Sequence, residues 1–198
     1  HLVFSADGRR LASAGDDSTT LLWDLTVPTA AGSEPAEWWA ALYSDDPAKA
    51  WAAVWHFADA PDDVTVPFLC DRLPPATAAD VERLRQAVRD LDGDRFAVRE
   101  MAATVLAKAG HFAGPALRAA LDGKPSAEAR QRIEALLEKI VGPPAGGEAR
   151  RLDRAIAALE RKGTPEAKRL LKDLAAGADG AWLTDAARAA LARAERLP

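Results

Sequence analysis

Apolar residues recur in this chain at a separation of 48 positions, and that recurrence limits the fold more than any single motif does. Ala50, Val54, Phe57, Ala58 and Pro61 are answered by Val98, Ala102, Val105, Leu106 and Ala109. Pro67, Leu69 and Leu73 are answered by Pro115, Leu117 and Leu121. In places a third copy follows at a separation of 53: Ala155, Leu159, Gly163, Leu170 and Leu174 answer Ala102, Leu106, Gly110, Leu117 and Leu121. A unit of that length, holding two stretches of helical spacing, is a helix pair. One pair cannot cover its own apolar stripe, so pairs are expected to stack. Composition agrees: 46 Ala and 23 Leu stand against 3 Ile. Helix formers dominate and β-branched residues are sparse, which excludes an all-β chain.

Residues 1–25 are written differently. Leu2-Val3-Phe4, Leu11-Ala12-Ser13-Ala14 and Thr20-Leu21-Leu22-Trp23-Asp24 read as three short strands. Asp7-Gly8 and the cluster Gly15-Asp16-Asp17-Ser18 read as the tight turns between them. The run Phe4-Ser5-Ala6-Asp7-Gly8, then Leu11 to Asp17, then Leu22-Trp23-Asp24 resembles one repeat of the WD-repeat β-propeller family. That family usually has Pro where Ala6 stands. The resemblance implies an incomplete blade, with further blades upstream and the sequence as the C-terminal part of something longer. By itself a three-stranded sheet has open edges and faces, so docking on the helices or poor order is expected.

Residues 26–33 read as a linker, and helices are expected from Ser33–Pro35 onward, with Ser33 as the first cap. Further helices are expected from Asp45 or Asp46 to Pro61, Asp62 or Asp63 to Leu73, and Ala79–Leu91. Asp94–Ala109, Phe112–Leu121, Ser126–Ile140, Glu148–Lys162, Thr164–Ala176 and Leu183–Arg196 complete the series. A flexible break is expected at Gly142–Gly147. Asp94-Arg95-Phe96-Ala97-Val98-Arg99-Glu100-Met101-Ala102 resembles the second helix of a HEAT repeat. The fold class expected is thus mainly α: a HEAT-like α-α superhelix over 34–198, preceded by the blade segment. The order of the whole, blade then linker then Trp-rich helices, is similar to the C-terminal region of large planctomycete WD-repeat proteins. That resemblance brings no active site with it.

Reactive chemistry is thinly represented. A single cysteine, Cys70, excludes an internal disulfide and a Cys-based zinc site. It lies beside Asp71, which disfavours a thiolate, and reads as a small core filler. His1, His56 and His111 are far apart and form no His-Glu pair. His56 reads as half-exposed packing and His111 as a cap at a helix junction. The carboxylates Asp45/Asp46, Asp62/Asp63 and Asp90/Asp92/Asp94 stand at helix ends, where carboxylates cap amides. No phosphate loop is present, since Gly142–Gly147 lacks a following Lys-Ser/Thr. No apolar run is long enough to span a bilayer. A net charge of −4 argues against whole-surface contact with nucleic acid or an anionic membrane.

These observations lead to a non-catalytic protein–protein interaction or scaffolding module, with no cofactor or metal. The upstream blades and an unidentified protein are the expected partners. The compartment is unreadable, with the cytoplasm as default. Trp38, Trp39, Trp51, Trp55, Arg95 and Arg99 are the expected protein contacts, because buried aromatic and Arg anchors dominate interfaces. For the four tryptophans, capping the first helices from within is the favoured account, and anchoring another protein the alternative. Residues 126–198 carry a net +3, and Arg150, Arg154 and Arg161 share a helix side. A nucleic-acid-binding module using helices 148–176 is therefore the second reading. Interleaved acidic residues make a solvated, salt-bridged face the plainer account. An enzyme with its site in the concave helical face is the third, with no constellation of residues to support it.

Overall fold

The computed structural model describes residues 1–5, 8–15, 18–25, 33–140, 144 and 147–196. The stretch 26–32 read as linker, Ala6, Asp7, Asp16 and Asp17 of the expected turns, and most of the break expected at 142–147 lie outside these. The described chain is mainly helical, preceded by a three-stranded antiparallel sheet.

The sheet comprises β1 (Leu2–Phe4), β2 (Arg10–Ala14) and β3 (Thr20–Asp24), with β2 in the middle. Gly8 takes φ +68° in the first turn, a conformation glycine adopts without steric cost. Phe4 lies opposite Leu11, and Leu11 opposite Trp23. Because side chains alternate, Leu2, Phe4, Leu21 and Trp23 share one face while Val3 and Leu22 share the other. Both faces are apolar and both are open: these six side chains are 50–70% exposed.

The helices are α1 (Pro35–Leu42), α2 (Pro47–Asp59), α3 (Asp62–Cys70), α4 (Ala78–Asp90), α5 (Phe96–Ala109), α6 (Gly114–Asp122), α7 (Ala127–Glu138), α8 (Gly147–Lys162), α9 (Pro165–Ala175) and α10 (Trp182–Ala194). A 3₁₀ turn, Gly110–Ala113, joins α5 to α6. Caps account for most starts. Asp46 accepts from the amides of Ala48 and Lys49, Ser126 from Ala129, and Thr164 from Ala167. Thr77 and Asp80 form a reciprocal capping box on α4. The first cap differs from expectation. Glu34, not Ser33, is the N-cap residue of α1, and Glu37 reaches back to the amides of Ser33 and Glu34.

Helix pairs do not pack in chain order. α1–α3 share one core with α8–α10, built on Leu42, Phe57, Leu69, Leu159, Leu171 and Leu174. A second core belongs to α4–α7 and is built on Leu91, Leu106, Leu117 and Ile133. A superhelix of consecutive pairs would set α2 and α3 against α4 and α5. Instead α2 lies along α8, and α3 against α9. Alanines explain the fit. Ala52, Ala53, Ala155 and Ala158 are at most 2% exposed, and such small side chains let helices approach closely. Most of the repeated apolar positions are nevertheless core positions: Val54, Phe57, Leu69, Ala102, Leu106, Leu117, Ala155, Leu159, Leu170 and Leu174 are buried, while Ala58, Val98, Ala109 and Leu121 are half-buried. Val105 departs from the stripe and is exposed. Cys70, read as core filler, sits exposed at the end of α3, because Leu69 and Leu73 take the inward positions.

The two cores meet at a seam. The Ala178 amide donates to the Ala76 carbonyl at 2.9 Å, and Arg85 Nη2 donates to the Asp179 carbonyl at 3.3 Å. Phe112 meets Trp182 edge-to-face at 5.5 Å. Gly177 is required here. A Cβ on it would stand 2.6 Å from Thr184 Oγ1, 3.1 Å from the Leu174 carbonyl and 3.2 Å from the Ala76 amide.

Candidate functional site

The four expected tryptophan contacts stand on α1 and α2, next to the arginines of α8, and they face different ways; Arg95 and Arg99 stand apart, at the start of α5. Trp38 is 7% exposed, stacked on His56 at 5.3 Å and edge-on to Phe57. It is a core residue and is not available as a contact. Trp39 is half-buried between Phe68 and the Arg151 guanidinium. Trp51 and Trp55, one turn apart on α2, meet edge-to-face at 6.1 Å. The Arg161 guanidinium lies 4.3 Å from one ring centroid and 4.9 Å from the other. Arg9, from the turn between β1 and β2, lies over Trp55 at 5.4 Å and pairs with Asp59. Cation–π attraction to electron-rich indole faces holds both arginines there. The expected internal cap and the expected surface thus divide between residues: Trp38 and Trp39 turn in, while Trp51 is 40% exposed.

Arg150, Arg154 and Arg161, the residues of the nucleic-acid reading, are engaged within the fold. Helices end with unpaired carbonyls, and those of α1 are met from α8. Arg154 Nη1 donates to the carbonyls of Leu42 at 2.6 Å and Ser44 at 2.9 Å. Arg150 Nη2 donates to the Tyr43 carbonyl at 3.2 Å and to Asp45 at 2.5 Å. That bond holds the Asp45 carboxyl below its ordinary range. Lys162 does the same for α2: it donates to the Ala60 carbonyl and stands 3.0 Å from Asp62, with only 4% of its side chain exposed. Burial pushes the Asp62 carboxyl up, but bonds from Lys162 and Thr164 outweigh it and hold it low. A cation at a helix C-terminus also meets the favourable end of the dipole. The face read as basic and solvated therefore closes the first core. Nothing local marks this, since each partner lies more than a hundred residues away along the chain.

Arg99 is likewise structural. Its Nη1 donates to the carbonyls of Gly93 at 2.8 Å and Asp94 at 2.9 Å, fastening the α4–α5 turn. Arg95 differs: it is exposed and makes no ion pair among the described residues. The cap expected from His111 is not seen at its Nε2, which is buried and has no hydrogen-bond partner among the described residues. Asp153, half-buried on α8, has its carboxyl raised by burial, against the pull of Arg193 and Arg154.

A cleft of about 350 Å³ opens at the seam, lined by Leu84, Phe112, Leu152, Trp182 and Leu183, with Asp80 and Arg83 as its charged residues. Asp80 is already held by Thr77, which lowers its carboxyl. The lining is suited to apolar contact. Sequence spacing does not reveal this cleft, because Phe112 and Trp182 belong to helices that meet only in the tertiary fold. Among the described residues, no three His, Cys, Asp or Glu side chains come together to hold a metal ion. None of the described helices is long and apolar enough to cross a membrane.

No family model, no curated protein and no solved structure matches the chain.

Proposed function

We propose that the chain is a non-catalytic interaction or scaffolding module, and that its sheet is the element completed by further β structure. The observation carrying this is the exposure of both sheet faces, with Leu2, Val3, Phe4, Leu22 and Trp23 all at least half exposed. Apolar surface of that kind marks interaction sites on soluble proteins. Among the described residues β1 and β3 are the outer strands of the sheet, the positions to which another strand can add. The resemblance of residues 1–25 to a WD repeat supports completion by propeller blades of the same parent chain, a planctomycete one by the second resemblance. The helical part then serves as a rigid body beside the sheet, tied to it through Arg9, Asp59 and Trp55. Within it, α4–α7 is the stretch that fits two HEAT-like pairs, with Arg99 fastening the turn as a local fit to that reading.

Affinity capture with the intact chain, compared with a Phe4→Glu, Leu22→Glu variant, tests the proposal. Retained proteins should be lost from the variant while its helical circular dichroism is unchanged. Identical retention by both would overturn the role given to the sheet.

A further inference from the structure

Among the described residues the second core leaves one side of the α4–α5 pair uncovered, with α1–α3 packed against α8–α10 instead of against it. On that side runs an open groove of about 720 Å³. It is lined by the buried Ala87 and Ala102, the exposed Ala97, and, from α5, Val98, Met101 and Val105. Met101 is 71% exposed and Val105 41%. Positions 98, 101, 102 and 105 follow one another at helical spacing, as do 83, 86, 87 and 90 on α4. Two helices lining a groove, with small alanines among longer side chains, suit a third helix, since small residues permit close approach. Helices of this length give a groove roughly 20 Å long at 1.5 Å rise per residue.

Charge selects the occupant. Arg83 and Arg95 line the groove, and Arg95 has no ion pair among the described residues. Arg83 stands 3.6 Å from Asp80, with both side chains more than half exposed, a weak pairing in water. The acidic lining residue, Asp90, accepts a hydrogen bond from Gln86 at 2.7 Å. Arginine beside exposed methionine is also the chemistry of an interface anchor.

We infer that the α4–α5 groove binds an amphipathic helix of another protein, its apolar stripe on Met101 and Val105 and its acidic flank on Arg83 and Arg95. This deepens the interaction reading and rests on it, but uses a surface separate from the sheet. The probe is a synthetic peptide of about 18 residues, long enough to hold helix. It carries leucines at helical spacing flanked by glutamates, and a matched peptide carries lysines instead. Fluorescence anisotropy with the intact chain should show binding of the Glu peptide at least ~10-fold tighter than the Lys peptide. Met101→Glu and Arg95→Glu should each weaken it ~10-fold, with Met101→Leu restoring it. Both sites are exposed, so circular dichroism should be unchanged in the variants. Equal binding of the two peptides, absence of binding, or indifference to both substitutions would overturn the inference. So would a dimer in sedimentation velocity that Met101→Glu dissociates, since a second copy would then fill the groove. If the groove fails while the sheet variant still loses its captured proteins, the interaction reading stands without it.

Discussion

The two cores of this molecule are assembled from opposite kinds of contact. The second joins helices consecutive in the chain, α4 to α7, through short turns. The first joins helices separated by about a hundred positions, α1–α3 with α8–α10, and fastens them with cations from α8 on carbonyls of α1 and α2. Local pairing costs little loop entropy, whereas the distant pairing closes a long loop before any contact forms. The first core compensates with the larger set of fully buried side chains and with charge-assisted caps. Similar helix-pair units can therefore be closed by quite different means within one chain.

The strongest way to break this contrast is to hollow each core in turn. Phe57→Ala should remove about 3–5 kcal/mol, and Leu106→Ala about 2–5 kcal/mol, by creating cavities. Hydrogen exchange should then separate them. Phe57→Ala should loosen α1–α3 and α8–α10 together, and Leu106→Ala should act first on α4–α7. If α8–α10 keeps its protection in Phe57→Ala, the shared core is wrong. Gly177→Ala tests the seam: its Cβ would meet backbone from both sides, and overpacking of this kind costs about 1–3 kcal/mol. Thermal unfolding should separate into two transitions in that variant; a single unshifted transition would show that the seam yields freely.

Smaller effects sharpen the picture. Arg154→Met leaves the Leu42 and Ser44 carbonyls without their donor and should cost about 1–3 kcal/mol in urea titration. A neutral result would mean that water replaces the guanidinium. Asp153 gives the smallest signal, read by pH. Burial raises its carboxyl above the ordinary value, so the folded chain holds that proton more firmly than the unfolded one. The stability linked to this group is full below the ordinary carboxylate range and declines as pH rises through it to the folded value. Asp153→Asn should therefore raise the melting temperature at neutral pH and give no gain below about pH 4. A gain that persists in acid would assign the effect to packing instead.

Local order was legible in the sequence, and long-range order was not. The three strands and their pairing follow from alternation and turn residues, and helix limits fall close to the caps at Asp46, Thr77, Ser126 and Thr164. Most repeated apolar positions, though not Val105, mark the core because burial needs only a stripe. They do not say which stripe meets which. Ala52 and Ala158 can pack on many surfaces, and their meeting in one core is decided by the whole fold. The candidate contacts divide between core and surface for the same reason. Arg154 and Arg95 look alike on paper, yet one meets two carbonyls from a distant helix and the other has no ion pair among the described residues. Trp38 and Trp51 are also indistinguishable by type, and only the helix face separates core from surface. Met101 gave a readable hint, lying just off the Ala102–Leu106 stripe.

Because α1 and α10 belong to the same core, a pull applied between residues 33 and 196 would travel straight through that core. The α4–α7 body would hang outside the load path, like a bead tied beside a knot. Stretching such a chain should undo the α1, α8 and α10 fastening first, while the groove and its arginines stay intact until the knot has opened.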